Sequence, residues 1–208
     1  MNLIPQYTDK ARYLEATDII DFGYEKSRAV TDLSYDITAY SKDKVDYVKN
    51  AFEYVRDKIH HSADIVGKTV TCKASEVLMA KEGSCYAKSH LLAAILRCSQ
   101  IPTGFCYQRL ILDDKTALYY ILHGLNAVYI EDINKWIRLD ARGNKPGVNA
   151  QFSLEQEHLA FPVRIEMGEE DMPVILAEPD KNVVRSLTEY KTVEALWANL
   201  PTELYSAL

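Results

Sequence analysis

The chain has 208 residues, 48% of them hydrophobic, which suits one domain with a full core. Its net charge is -6, with both signs interspersed and no basic stripe, so nucleic acid is not expected as a partner. No apolar run is long enough to cross a bilayer, and the first ten residues lack the basic start and apolar stretch of an export signal, so no membrane partner is expected and the expected location is the cytoplasm.

Residues 1–40 mix apolar and acidic positions, with a hint of helix at Ala29-Val30-Thr31-Asp32-Leu33. Ser41 to Ile59 predicts an amphipathic helix, because Val45, Val48, Phe52, Val55 and Ile59 recur at spacings of three and four. Ser41 is the expected N-cap, with Asp43 in the first turn. The pair His60-His61 then reads as a solvated or capping pair at the helix end. A loop around Gly67 precedes a short helix from Ala74 to Ala80, and Lys81-Glu82-Gly83-Ser84 turns the chain.

Cys85 follows at once. Ala87, Leu91, Leu92, Ile95, Leu96 and Cys98 have the spacing of a buried helix, with Gly83 and Ser84 as its turn and N-cap. A cysteine in the first helical turn meets free backbone N–H groups and the positive end of the helix dipole, both of which favour a thiolate. The other reading is a small buried hydrophobe, which is how Cys98 and Cys106 read, with Cys72 undecided. The four cysteines form no Cys-x-x-Cys pair, so no structural zinc is expected, and in a reducing compartment they stay free thiols.

The helix is expected to end near Gln100, with a turn at Ile101-Pro102-Thr103-Gly104. Phe105 to Leu112, Tyr119 to Ile130 and Lys135 to Asp140 read as strands, separated by polar turns at Asp113-Asp114-Lys115 and Glu131-Asp132-Ile133-Asn134. Beyond a loop at residues 141–147, short apolar runs alternate with prolines. Gly168-Glu169-Glu170-Asp171 is expected as a solvated acidic loop, and Glu189 to Leu200 as a last helix stopped by Pro201. Helices followed by an antiparallel sheet make an α+β arrangement.

A cysteine nucleophile needs a base and a group that orients the base. His123 lies in the long strand and Asp140 ends the next one. If the turn at 131–134 joins those strands, Ile130 faces Lys135 and Leu125 faces Asp140. Asp140 is then the diagonal neighbour of His123, on one face and roughly 7–8 Å away between Cα atoms. A slip of one residue would place the two on opposite faces.

Gly83-Ser84-Cys85 opening a helix, Ile101-Pro102 after it, His123 in a strand and Trp136-Ile137-Arg138-Leu139-Asp140 together resemble the transglutaminase-like superfamily. Tyr54-Val55-Arg56-Asp57-Lys58-Ile59 is similar to part of the helix that precedes that core, so the resemblance spans about residues 43–144. It implies a papain-like transglutaminase core with the nucleophile helix packed on an antiparallel sheet. It further implies one domain over 1–208, with a helical N-terminal extension to residue 42 and a C-terminal extension from 148 packed on the core, covering the cleft or forming an interface. Cys85 is then the nucleophile, His123 the base and Asp140 the orienting acid. The oxyanion donors are the Cys85 N–H and Gln108, and Tyr86, Tyr107, Asn126 and Trp136 are candidates for binding substrate.

Three residues depart from the related patterns. His123-Gly124-Leu125 stands where His-Ala-Trp is usual, and Met79 stands where papain itself has a glutamine. The implied activity is acyl transfer or hydrolysis on an amide through a thioester, by a cysteine peptidase, an amidase or a transglutaminase-like acyltransferase, with a protein or peptide substrate and no cofactor. A catalytically inactive peptide-binding module on the same fold is the alternative. A metal site built from His60, His61 and His90 is the weakest reading, because their spacing matches no ligand pattern.

Overall fold

The computed structural model describes residues 1–112 and 119–205, so the predicted turn at Asp113-Asp114-Lys115 lies outside the described residues. The chain opens with a short strand, β1 (Ile4–Pro5), and then forms α1 (Arg28–Tyr40), which is capped by Ser27 and buries Val30, Ser34 and Ile37 along one stripe. Helix α2 (Lys44–Lys58) buries the predicted face, with Val48, Phe52 and Val55 inward. Its N-cap is Asp43, whose carboxylate accepts from the Asp46 N–H at 2.8 Å. Ser41, expected in that role, instead finishes α1, donating its hydroxyl to the Ile37 carbonyl at 2.7 Å. The sequence shows two plausible caps, and only the length of α1 decides between them.

His60–His61 form a two-residue strand, β2, which pairs in parallel with β3 (Glu82–Gly83) after α3 (Ala74–Ala80). The histidines are therefore not a simple helix-end pair. His60 is exposed, while His61 is buried and stacks on Trp197, with ring centroids 5.9 Å apart. Gly83 is likewise extended strand rather than a turn. A Cβ there would meet Ala87 Cβ at 3.1 Å and Thr71 Oγ1 at 3.2 Å, so close approach to the next helix accounts for the glycine.

Helix α4 (Cys85–Cys98) is the centre of the molecule. Every residue from Cys85 to Arg97 is buried, and α1, α2, α3 and the sheet all pack on it. Its polar members therefore need internal partners. Arg97 donates to the carbonyls of Thr103, Glu15 and Ala177, and His90 pairs through Nδ1 with the Cys72 carbonyl at 2.7 Å.

Strands β4 (Thr103–Ile111), β5 (Tyr120–Ile130) and β6 (Lys135–Leu139) form an antiparallel meander, extended by β7 (Glu170–Asp171) into a sheet of order β6-β5-β4-β7. Ile130 pairs with Lys135 and Asn126 with Leu139, which is the register that the turn at 131–134 predicts. Alternation splits the sheet's apolar residues. Phe105, Leu122, Val128, Ile137 and Leu139 join the main core with α4, whereas Cys106, Leu125 and Ala127 form a second cluster with Tyr13 and Ile175.

The C-terminal stretch departs most from expectation. Glu169 is not solvated; it is buried and accepts from the N–H groups of Ile111 and Arg164 at 3.0 and 2.7 Å. Glu170 and Asp171 are strand rather than loop, and β8 (Val174–Ile175) pairs in parallel with β1. The single helix expected over 189–200 is replaced by α5 (Lys181–Glu189), capped by Asp180, and α6 (Val193–Trp197), capped by Thr192. Each short helix carries its own polar cap, and the extended Tyr190 separates them. Among the described residues, no helix is long and apolar enough to cross a membrane.

Candidate active site

Cys85 is the first residue of α4 and is 6% exposed. Ser84 caps the helix by accepting from Ala87, which leaves the Cys85 N–H among the donors without an intrahelical partner. His123, in mid-β5, is 3% exposed, and its Nε2 lies 2.8 Å from Asp140 Oδ2. Nε2 is the ring nitrogen that Asp140 takes, and Cys85 is the second group that favours the charge of the imidazole.

Asp140, 1% exposed, follows the last residue of β6. Its Oδ1 accepts from the Arg142 N–H at 3.1 Å, and its Oδ2 also accepts from the Ala160 N–H at 3.0 Å. Phe161 closes the other side, edge-on to the His123 ring with centroids 5.2 Å apart. No periodic or motif signal marks Ala160 and Phe161. They lie in an irregular stretch whose position depends wholly on tertiary packing.

The electrostatics are those of a buried ion pair. Burial works against a charged imidazole, but the Asp140 carboxylate and then Cys85 outweigh it and push His123 up to about 10. Burial would raise Asp140, yet the His123 charge and hydrogen bond, with the Ala160 and Arg142 N–H groups, hold its carboxyl below the usual value.

Gln108 lies directly across from His123 on β4, is buried, and has a side-chain oxygen with no hydrogen-bond partner among the described residues. With Arg138, Leu159 and Phe161 it lines an open cavity of about 350 Å³. That cavity is therefore walled by two neighbours of His123.

The four candidates for binding substrate sit differently. Tyr86 is buried, with its hydroxyl donating to the Leu122 carbonyl, and the Tyr107 hydroxyl accepts from the Asp180 N–H at 2.9 Å. Asn126 is fully buried and donates to the carbonyls of Ser89 and Gly104. Trp136 packs edge-on against Tyr13 and Tyr129 beside the second cluster. All four are engaged in internal contacts, Tyr86 and Asn126 between α4 and the sheet, Tyr107 with Asp180 and Trp136 on the sheet's other face.

The altered positions also find a reason. A Cβ at Gly124 would come within 2.8 Å of the Tyr86 ring, so the glycine lets α4 lie close on β5. Leu125, where a tryptophan is usual, fills the second cluster, and Met79 is 83% exposed.

A cysteine opening a central helix, facing a strand histidine on an antiparallel sheet, defines the class as a papain-like transglutaminase core. Residues 31–141 match the family model described as the transglutaminase-like superfamily, and the chain belongs to that family. The match begins within α1, earlier than the resemblance at residue 43. No curated protein matches the chain.

Among solved structures, it is similar to one from Cytophaga hutchinsonii described as a candidate cysteine protease, at 18% identity and a TM-score of 0.52 over 65% of this chain and 43% of that one. The periplasmic domain of TgpA from Pseudomonas aeruginosa follows at 11% identity and 0.47, over 64% and 46%. Red sea bream transglutaminase gives 14% and 0.43, over 65% and 32%. The chain thus spans less than half the length of each of these three structures.

Proposed function

We propose that the chain carries out acyl transfer on an amide through a thioester, with Cys85 as nucleophile, His123 as base and acid, and Asp140 as the group that orients His123. The observation that carries this reading is the 2.8 Å contact between His123 Nε2 and Asp140 Oδ2, buried at a ring whose other neighbour is the Cys85 thiol. The hydrogen bond to Asp140 fixes which ring nitrogen meets sulfur, and the carboxylate stabilises the imidazolium that forms.

In the first half-reaction, the Cys85 thiolate, paired with the His123 imidazolium that already holds its proton, bonds to the amide carbonyl carbon. The Cys85 N–H, with Gln108 as second donor, stabilises the oxyanion. Collapse breaks the C–N bond, and His123 returns the proton to the departing amine. In the second half-reaction, water or a primary amine attacks the thioester and gives its proton to His123, releasing an acid or a new amide together with the free thiol. The substrate is a protein or peptide, reached through the cavity lined by Gln108 and Phe161.

The test is release of ammonia or peptide fragments from glutamine-containing peptides, with and without an added primary amine. Turnover and Cys85 labelling by iodoacetamide are expected in the wild type, and neither in Cys85→Ala. A folded Cys85→Ala protein with unchanged turnover, or labelling at Cys98 in preference to Cys85, overturns the reading.

A further inference from the structure

Lys88 lies one helical turn after Cys85 and is 0% exposed. A buried lysine is rare unless fully partnered. Its ammonium donates to the carbonyls of Ile59 at 2.6 Å, Arg142 at 2.9 Å and Arg56 at 3.2 Å. Those contacts use all three of its N–H donors. Arg56 and Ile59 belong to the C-terminal end of α2, where exposed carbonyls and the helix dipole favour a cation. The third acceptor is the one that bears on chemistry. The same Arg142 that gives its carbonyl to Lys88 gives its N–H to Asp140.

The contacts therefore close a ring. Cys85 and Lys88 share α4; Lys88 grips the backbone of Arg142; Arg142 holds Asp140; Asp140 holds His123; and His123 faces Cys85. The chain is shaped to permit the junction. Gly143 sits at φ +114, and a Cβ there would come within 3.3 Å of Lys88 Nζ and 3.4 Å of the Arg56 carbonyl. The Arg142 side chain is tied separately, in an ion pair with Asp64.

We propose that Lys88 is a positioning residue for the Cys85–His123–Asp140 site, fixing through the Arg142 backbone the distance between the helix that carries the thiol and the turn that carries the carboxylate. This rests on the reading of Cys85 as a nucleophile. Burial and the Arg142 charge push the Lys88 ammonium down to about 7, while Asp140, Asp57 and Asp64 favour its charge. His61 also lies beside it; burial and then the charges of Arg142 and Lys88 keep its ring well below the ordinary histidine value.

The measurement is the rate of Cys85 alkylation by iodoacetamide, followed by peptide mass spectrometry from about pH 5 to 10, which needs no substrate. Asp140→Asn is expected to move the acid limb to higher pH, and Lys88→Met to move it the same way, with a rate at neutral pH lower by roughly tenfold. Combining the two should cost little more than the worse one alone. Lys88→Gln keeps a shorter neutral donor and serves where methionine prevents folding; it should show the same shift at smaller size. A folded Lys88 variant with a lower melting temperature but an unchanged profile, while Asp140→Asn shifts, overturns this proposal alone. An unchanged profile in Asp140→Asn overturns the proposal together with the site reading beneath it.

Discussion

The segment of residues 31–141 and the segment that follows it contribute to one site by different physics. The first supplies Cys85, His123 and Asp140 from long regular elements whose spacing is set by periodicity and by one short turn. The second has little regular structure around the site, yet it places the Ala160 N–H on Asp140 and the Phe161 ring on His123. It also reaches the sheet through Arg138, which is pinned between Glu157 and Asp171. The three side chains of the proposed triad thus come from the regular segment, while part of the shell around them comes from the irregular one. Removing a reactive partner should therefore change chemistry and stability together, whereas cutting the attachment of the second segment should mainly loosen the site.

Asp140→Asn strikes the first segment hardest. It breaks a fully buried ion pair, and a loss of about 3–5 kcal/mol is expected at mildly acid pH. The pH dependence sharpens the test. His123 is raised from 6.5 to about 10, so its share is complete below about pH 6.5 and lost as pH rises through about 10. Asp140 is lowered from 3.8, so its share is present above about pH 3.8 and lost as pH falls further. The stability gap between wild type and variant should be widest between those two unfolded values and should close toward pH 10. Denaturant unfolding at several pH values checks it, and a gap that widens toward pH 10 would refute the ion pair.

Arg138→Met tests the attachment. It leaves Glu157 and Asp171 without the cation they share, and a cost of about 2–3 kcal/mol is expected, below that of a fully buried pair because Glu157 is half exposed. Limited proteolysis should then cut first within residues 148–171.

Phe161→Ala should cost about 1–2 kcal/mol, since the ring is only partly buried and adds one edge-on aromatic contact. Water admitted beside His123 should also narrow the pH range over which Cys85 alkylates quickly. An unchanged alkylation profile would show that the second segment covers the site without tuning it.

Lys44→Ala removes an exposed ion pair with Glu131 at the far end of the sheet turn. No measurable change in melting temperature is expected, which sets the baseline for the other three.

The sequence alone determined the parts that follow from local rules. The α2 and α4 stripes, the 74–80 helix and the Ile130–Lys135 register are fixed by periods of 3.6 and 2 and by the length of one turn, and that register suffices to bring His123 and Asp140 together. Family resemblance then ordered the pieces. Tertiary structure alone decided whatever depended on a contact between distant segments. It turned Gly83 and Glu170 into strand residues, committed Tyr86, Tyr107, Asn126 and Trp136 to internal packing, and brought Ala160 to Asp140. Lys88 is the clearest case. On α4 it is the first of three polar residues, Lys88-Ser89-His90, ahead of an apolar run, and only the meeting of α2's last carbonyls with the Arg142 turn gives a buried ammonium its three partners. Period and turn length are properties of neighbouring residues, whereas the partners of a buried charge are set by where the chain returns.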